Sequence, residues 1–483
     1  MKIFKNYIYN LIYQIISVLL PFFITPYISR VLGVQGVGRY SLINTIANYF
    51  IIIGMVGINV YGNRQISYTR DDPEKMEQTF WDLNALRYIT MGIASLTYFI
   101  YLIWWVKNGD RPIYLAEFLL LLASLIDISW YFEGTEEFKI LALRNILIKL
   151  IGVILIFLFV KKSEDLVVYA AILSGSTLIG QAFLWKEIKN KIHYRKVVWK
   201  NLKKHFICTL RLWVPTVSIK IYSTLDKLLL GILSTDAQVG LYTSSQNIVT
   251  MATTITSTLT VVTLPRMSNY YKNERFTELK KVSELSVEMV SMIAFPMTFG
   301  LIGISETLVP WFFGPGYEAV SKLLLISAWF ILTVSWSNIF GNQILLACGE
   351  EKKYTIAVGI SAIENIILSI VLIYKMEAAG AIIASVLAEY TGMLIMFWNV
   401  KKIFDLSKMA KRVLFYALDA IIMLGIIYWI GKFFVKSFIA TCVQIGIGIV
   451  IYFLILFIVR DRNFFLAISY VKNIFRNIFP QKG

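Results

Sequence analysis

Polar side chains recur at helical spacing in the otherwise apolar segment WVPTVSIKIYSTLDKLLLG, residues 213–231. A lysine at mid-membrane costs about 2.5–3.5 kcal/mol on insertion scales, so a polar stripe of this kind is expected to face a protein cavity. An ammonium group binds an anion as a point charge. The segment therefore predicts an anion site, with snorkelling or an ion pair to Asp226 or Asp127 as the alternative. The stripe occupies positions i, i+4, i+7, i+8 and i+11, which are Thr216, Lys220, Ser223, Thr224 and Lys227.

Three arginines extend this cationic set. Arg30 caps the outer end of the first apolar run, Arg64 lies at the inner end of the second, and Arg87 lies in the inner third of the third. Guanidinium groups bind phosphate in a bidentate way. Together with Lys220 and Lys227, the arginines predict a substrate-binding route suited to a diphosphate. Each arginine by itself also fits an interfacial anchor.

Acidic and aromatic residues crowd into LIDISWYFEGTEEFKILALRN, residues 125–145. Asp127 and Trp130 share one helical face, which predicts a gate or an anchor where two helices turn at the membrane surface. Glu364 and Glu389 are the other deeply placed carboxylates. These carboxylates are expected to bind H⁺ or Na⁺ in a transport cycle or to neutralise the lysines, and the sequence leaves both readings open.

The elements that position these residues are membrane helices. The chain has 483 residues, of which 57% are hydrophobic and 16% charged, and its mean hydropathy is +0.67. Apolar runs of about 20 residues recur along it without period-2 alternation, so we predict an all-α polytopic membrane protein with about fourteen transmembrane helices. Its three cysteines and two histidines show no metal-ligand spacing, and neither a metal nor a cofactor is expected.

Basic residues predict the orientation. With the N-terminus inside, the inner segments hold most of the lysine and arginine, as the positive-inside rule requires. Both termini are therefore expected in the cytoplasm. The formal charge of +17 is explained by topology and anionic lipid, and no nucleic-acid partner is expected.

A repeat divides the chain. LGVQGVGRYSLIN (32–44) and LGILSTDAQVGLYTSSQ (230–246) share Leu-Gly, a linker and Val-Gly-x-Tyr, and each falls at a predicted outer hairpin. Parallel repeats of this kind are related by a pseudo-two-fold axis along the membrane normal. The predicted organisation is two six-helix lobes, a cytoplasmic basic linker, two additional C-terminal transmembrane helices and an amphipathic cytoplasmic tail. Their ranges are 1–185 and 209–400 for the lobes, 186–208 for the linker, 401–460 for the helices and 461–483 for the tail.

Several segments carry a resemblance to a known family. They resemble segments of Wzx-type polysaccharide flippases, in the polysaccharide transporter family of the multidrug/oligosaccharidyl-lipid/polysaccharide (MOP) superfamily. In chain order, the matching segments are YISRVLGVQGVGRYS, NVYGNRQIS, DISWYFEGTE, LDKLLLGILSTDAQVGLYTSSQNI, TLPRMS, FPMTFGLIGISETLVPWFFG and AAGAIIASVLAE.

The resemblance implies a transporter that rocks between inward-open and outward-open states. It implies that undecaprenyl-diphosphate-linked oligosaccharide moves from the inner to the outer leaflet of the bacterial cytoplasmic membrane, for capsule, O-antigen or exopolysaccharide. Membrane lipids, a polysaccharide polymerase and a chain-length regulator are the expected partners. Arg30, Arg64 and Lys227 lie inside matching segments, whereas Lys220 is assigned from helix-face geometry alone.

Other functions make different demands on the sequence. A cation-coupled multidrug exporter of the same superfamily would need an acidic cavity, and a peptidoglycan-precursor flippase would share the mechanism. A glycan polymerase or ligase would need a large outer catalytic loop, which the sequence lacks, so we do not expect an enzyme. A channel would need a ring of like residues around a symmetric axis.

Overall fold

The described part of the chain is helical. The computed structural model describes the backbone of residues 2–401 and 407–469. Side chains are described for residues 20–213, 217, 224–257, 266–401 and 409–469. Every regular element in these ranges is a helix, because a helix pairs its own backbone groups where lipid cannot. The predicted all-α membrane architecture is confirmed.

The structure divides into two compact units, residues 1–240 and 241–483. The first unit contains α1 to α8 and the start of α9, and α8 packs against α1, α2 and α3 there. The predicted lobes and linker, divided at 186–208, stay a prediction. The helices are α1 Lys2–Met55, α2 Ile58–Thr69, α3 Pro73–Trp104, α4 Arg111–Leu125, α5 Ser129–Gly134, α6 Phe138–Phe159, α7 Leu166–Ile188, α8 Trp199–Leu233 and α9 Asp236–Lys272.

The second unit begins within α9 and continues to the C-terminus. Two helices, α14 and α15, lie in the range predicted for additional spans. A π-helical segment, Asn338–Leu345, follows α12 directly. The helices are α10 Phe276–Phe312, α11 Glu318–Ser327, α12 Trp329–Ser337, α13 Glu351–Lys401, α14 Ser407–Gly431 and α15 Phe438–Ile458.

Ten segments of the described residues are long and apolar enough to cross a membrane. Two of them, Leu20–Thr69 and Glu351–Lys401, are long enough to cross more than once. Each contains a non-helical residue, Gly33 (φ 67°, ψ 176°) in one and Glu377 (φ 50°, ψ −125°) in the other. The predicted number of fourteen spans therefore stays a prediction, whereas a multi-pass membrane protein is established.

Local chemistry explains where individual helices bend or begin. Gly33 divides α1 with a positive φ angle that residues bearing a Cβ rarely adopt. Pro73 occupies the first turn of α3, and Asp72 caps the helix by accepting a hydrogen bond from the Lys75 backbone N–H at 3.2 Å. Ser437 caps α15 in the same way through the Ala440 N–H.

The two copies of the sequence repeat meet through their glycines. A Cβ atom placed on Gly38 would lie 1.7 Å from the Asp236 carbonyl oxygen, and one placed on Gly240 would lie 2.1 Å from that of Val34. Only glycine permits backbone segments to approach so closely. We call this contact, between residues 34–38 and 236–240 of the first unit, the glycine contact.

The start of the predicted tail is held on the second unit. Asn463 donates a hydrogen bond to Glu288 at 2.6 Å, and Arg412 forms an ion pair with the same carboxylate at 2.8 Å. The Tyr416 hydroxyl donates to Asp461 at 3.1 Å. Residues 470–483, which carry most of the predicted amphipathic tail, lie outside the described residues.

Candidate functional site

Trp130 of α5 is fully buried against α2. A Cβ atom on Gly62 would lie 2.7 Å from the Trp130 ring, so the indole rests directly on the α2 backbone. The Phe80 ring lies 5.5 Å from it, centroid to centroid. Trp130 therefore packs inside the protein, which corrects the interpretation of this residue as an anchor at the lipid boundary.

Polar contacts continue this packing along α2 and α5. Asn63 donates to Glu133 at 3.1 Å, and the Ser67 hydroxyl donates to the Gly134 carbonyl at 3.1 Å. The segments NVYGNRQIS and DISWYFEGTE thus bind one another, although some sixty residues separate them in the sequence. We call this pairing of α2 with α5 the α2–α5 clasp.

A buried arginine lies at the end of the clasp. Arg87 of α3 is fully buried and donates from Nη2 to Asn59 Oδ1 at 2.7 Å. Its guanidinium carbon lies 5.7 Å from the centroid of the Trp130 ring, within cation–π range. Its Nε and Nη1 have no hydrogen-bond partner among the described residues. A buried guanidinium with unfilled donors can bind an oxyanion once it is uncovered.

Asp127 belongs to the same cluster. Its Oδ2 accepts from Asn59 Nδ2 at 3.5 Å, and its Oδ1 accepts from the Ser129 N–H at 2.8 Å and from the Ser129 hydroxyl at 2.6 Å. Asn59 thus bridges Arg87 and Asp127. The structure therefore brings together three of the predicted site and gate residues, Arg87, Asp127 and Trp130.

Arg144 adds a second cation beside the clasp. Its Nη1 donates to Gln181 of α7 at 3.0 Å, and its Nη2 donates to Asn145 at 2.6 Å. The sequence analysis did not single out Arg144, which lies near the end of the segment 125–145. The signal was a charged residue inside a long apolar run, which usually marks a polar partner within the bundle.

The remaining predicted cations lie in different environments. Arg30 is exposed and donates to the Pro26 carbonyl at 2.7 Å, and Arg64 is exposed beside the Tyr68 ring. Lys227 is half-buried in α8. The side chain of Lys220 lies outside the described residues. The proposed route through all five cations stays a prediction.

The carboxylates Glu364 and Glu389 are half-buried on α13 in the second unit. Their predicted part in ion coupling stays a prediction as well. In the first unit, however, the structure reveals a more deeply buried carboxylate that the sequence analysis did not single out. Glu117 of α4 is fully buried and accepts hydrogen bonds from Asn44 and Ser174.

The basic loop between α7 and α8 is docked on α3. Glu77 accepts from the Arg195 Nε at 2.8 Å and from the His193 N–H at 3.1 Å. Asp82 accepts from the Val198 N–H at 2.9 Å. Hydrogen bonding to Glu77 raises the pKa of the Arg195 guanidinium, so this loop residue stays charged. We call residues 189–198 the docked loop.

The known proteins that this chain resembles in sequence carry names that agree with one another. Residues 3–271 match a family described as polysaccharide biosynthesis protein. A putative O-antigen transporter of Escherichia coli K12 is 24% identical over 406 residues, covering 83% of this chain and 97% of the relative. The capsular polysaccharide biosynthesis protein CapF of Staphylococcus aureus is 23% identical and covers 83% of this chain and 100% of the relative. A probable low-salt glycan biosynthesis flippase, Agl15 of Haloferax volcanii, is 22% identical, covering 90% and 91%.

Solved structures share the fold. The inward closed conformation of the lipid II flippase MurJ aligns with a TM-score of 0.65 and 18% identity, covering 91% of this chain and 99% of MurJ. An inward-facing multidrug resistance transporter of the MATE family in the MOP superfamily aligns with a TM-score of 0.61 and 12% identity, covering 82% and 99%. At these identities the likeness is one of fold.

Proposed function

The chain belongs to the polysaccharide biosynthesis protein family, and from this premise we propose that it is a flippase for lipid-linked oligosaccharides. The observation that carries the proposal is the set of relatives matched over nearly their whole length, which are named for O-antigen transport, capsule biosynthesis and glycan flipping. The predicted family is confirmed. Surface polysaccharide precursors are accordingly the proposed cargo, carried on undecaprenyl diphosphate from the inner to the outer leaflet by alternating access.

The cargo has three chemically different parts, and each needs a different environment. The prenyl chain stays in lipid, while the sugars need polar surroundings and the diphosphate needs positive charge. Arg87 supplies a guanidinium that is already buried and has two unfilled donors. Separation of the α2–α5 clasp would uncover this guanidinium, and its planar fork matches phosphate oxygens. Arg30, Arg64, Lys220 and Lys227 complete the proposed set of cargo-binding cations.

The proposed location is the bacterial cytoplasmic membrane, with both termini in the cytoplasm. The excess of lysine and arginine in the predicted inner segments supports this orientation. A flipped repeat unit has to be joined to others at the outer surface, so a polymerase and a chain-length regulator are the proposed protein partners. Transport of this kind makes and breaks no bond.

The two alternatives from the same superfamily receive less support. The structural likeness to a multidrug transporter and to a lipid II flippase concerns the fold, which the whole superfamily shares. The relatives matched by sequence are named for surface glycans. A drug exporter would also be expected to hold acidic residues for cationic drugs, whereas the segment around Lys220 and Lys227 is basic.

A charge reversal in a strain that lacks the gene tests the proposal. We expect Lys220→Glu combined with Lys227→Glu to abolish surface polysaccharide at a normal protein level, because two carboxylates would repel the diphosphate. Lys203→Glu with Lys204→Glu, an equal charge change at exposed positions of α8, is the matched control and should leave polysaccharide intact. Polysaccharide is measured by sugar analysis of washed cells.

Two results of this experiment would contradict the proposal at different points. If the deletion itself leaves surface polysaccharide unchanged and instead increases drug susceptibility, the flippase function is wrong. If the deletion removes polysaccharide but the Lys220 and Lys227 double variant restores it fully, the function stands and the cation assignment is wrong.

A further inference from the structure

Glu117 is a carboxylate in the interior of the first unit, and its hydrogen-bond partners among the described residues are both neutral. Its Oε2 accepts from Asn44 Nδ2 at 2.9 Å, and its Oε1 accepts from the Ser174 hydroxyl at 3.1 Å. It is fully buried and forms no ion pair among the described residues. It lies in the segment Arg111–Gly134, which is apolar enough to cross a membrane. A carboxylate in that setting is costly to keep charged, and such residues usually mark proton or ion pathways.

The titratable groups that face Glu117 come from every helix packed on α4. Tyr40 of α1, Tyr98 of α3 and Tyr169 of α7 surround it, and the rings of Tyr40 and Tyr169 lie 4.9 Å apart. Lys149 of α6 lines the adjacent cavity. The tyrosines are neutral at ordinary pH. Glu117 is therefore the acidic group of this environment that can change its charge.

A cavity of about 370 Å³ lies beside the two residues that donate to Glu117, although Glu117 itself does not line it. The two residues that donate hydrogen bonds to Glu117 are Asn44 and Ser174. Both line this cavity, together with Tyr40 and Thr177. Since a water molecule occupies about 30 Å³, the cavity has room for several. Most of its lining is apolar, so water is expected beside its polar residues, of which Ser174 also contacts Glu117. Glu117 can thus exchange a proton with this water through the Ser174 hydroxyl.

The two donors play different parts. Asn48 donates to Asn44 Oδ1 at 3.1 Å, which fixes the Asn44 amide with its NH₂ group toward Glu117. The Ser174 hydroxyl can rotate, so it donates to an ionised carboxylate and accepts from a protonated one. The site therefore satisfies Glu117 in both protonation states.

Asp419 of α14 shows the contrasting case. It is 1% exposed, and neither of its carboxylate oxygens has a hydrogen-bond partner among the described residues. The described residues offer no donor to an ionised Asp419, whereas each carboxylate oxygen of Glu117 has one.

We infer that Glu117 is a proton-binding site, which takes up a proton from water in the adjoining cavity and releases it there during the transport cycle. The bond that forms and breaks is the O–H bond at Oε1, opposite the Ser174 hydroxyl. That the proton movement is coupled to flipping rests on the proposed function, whereas the binding of the proton does not. Asn44, which the sequence repeat marks, becomes a positioning residue for this site.

Infrared spectroscopy on the full-length protein tests this inference. The protein is reconstituted in vesicles of phosphatidylethanolamine and phosphatidylglycerol, and pH-difference spectra record the carbonyl stretch of protonated carboxyl groups. We expect a band that disappears as the pH rises, is absent in Glu117→Gln and remains in Asp419→Asn. Ser174→Ala should move its midpoint to higher pH, because the ionised form loses a donor.

A second variant guards against a failure of the first to insert. Gln is isosteric with Glu, and it can accept from Asn44 with its oxygen and donate its NH₂ group to the Ser174 hydroxyl oxygen. Glu117→Asp supplies a titratable replacement if Glu117→Gln fails to insert. A pH-difference spectrum that Glu117→Gln leaves unchanged would overturn the inference. So would a band that NaCl removes at constant pH when choline chloride does not, since the site would then take Na⁺.

The outcome separates this inference from the proposed function. A band assigned to Glu117 in a protein whose deletion spares surface polysaccharide would leave the proton site standing and refute the flippase. Loss of polysaccharide in the deletion strain, with no band at Glu117, would do the opposite.

Discussion

At the scale of single residues, a glycine determines where the indole of Trp130 lies. Gly62 has no side chain to hold the ring away from α2, and the ring fills that space completely. The same indole faces the guanidinium of Arg87. One aromatic residue therefore joins α2, α3 and α5, and its loss should affect both packing and the buried cation.

Trp130→Ala is expected to destabilise the protein by about 3–5 kcal/mol, the usual range for truncating a buried aromatic residue. The measurement is the fraction of purified protein that stays monodisperse in detergent after heating. Trp104→Ala is the matched control, because Trp104 is 75% exposed at the end of α3. Equal heat sensitivity of the two variants would show that the indole of Trp130 is not a packing residue.

Residue types predicted part of the candidate site. Asp127, Trp130 and Arg87 were identified because charges and aromatics are conspicuous in apolar segments, and the structure places them in one cluster. Glu117 was overlooked, because a carboxylate near the start of a predicted span resembles an interfacial residue. Its burial depends on Asn44 and Ser174, which come from two other helices, and a linear sequence does not display such contacts.

At the scale of elements, the segments that carried the family resemblance are largely contact surfaces. The α2–α5 clasp joins two of these segments. The docked loop, which lies outside them, binds α3 of the first unit. Glu77 anchors that loop with a carboxylate that is 7% exposed and receives Arg195 and the His193 backbone. The loop is rich in lysine and arginine, so its attachment can be followed with trypsin.

Glu77→Gln should speed tryptic cleavage within the docked loop, because the charge-assisted bond to Arg195 is lost and the loop spends more time detached. Cleavage is followed by gel electrophoresis of the protein in membranes. Glu74→Gln is the control, since Glu74 is 79% exposed and its contact with Arg195 is longer, at 3.3 Å. If both variants are cut at the wild-type rate, Glu77 does not hold the loop.

Element boundaries were harder to predict than element type. The apolar runs and their missing alternation were sufficient to predict helices. The first copy of the repeat was expected at a hairpin, and Gly33 within it has the positive φ that divides α1. By contrast, the short helix α5 and the π-helical segment Asn338–Leu345 left no clear pattern, because such short pieces are stabilised by tertiary packing more than by local propensity.

At the scale of the whole molecule, the fold class followed from composition, and the repeat in the sequence corresponds to a physical contact. Gly38 and Gly240 occupy the same place in the Val-Gly-x-Tyr motif of the repeat, and the backbone segments that contain them touch. The first compact unit extends to residue 240 and includes α8. The predicted lobes, 1–185 and 209–400, stay a prediction.

Gly38→Val is expected to open the glycine contact, because its Cβ would coincide with the Asp236 carbonyl oxygen. The assay uses Val239→Cys, at a fully buried position beside the contact, in a protein whose three cysteines are replaced by serine. A membrane-impermeant maleimide should label this cysteine faster when Gly38→Val is present. Gly109→Val, whose added atoms would meet open space, should not change the rate. A rate that Gly38→Val leaves unaltered would show that the contact does not close in the membrane.

The glycine contact also has an evolutionary consequence. Because both partners are main chain, any residue other than glycine at position 38 or 240 would place its Cβ atom against a carbonyl oxygen. We therefore expect relatives that handle different glycans to keep glycine at both positions, even where the cargo-binding residues have changed.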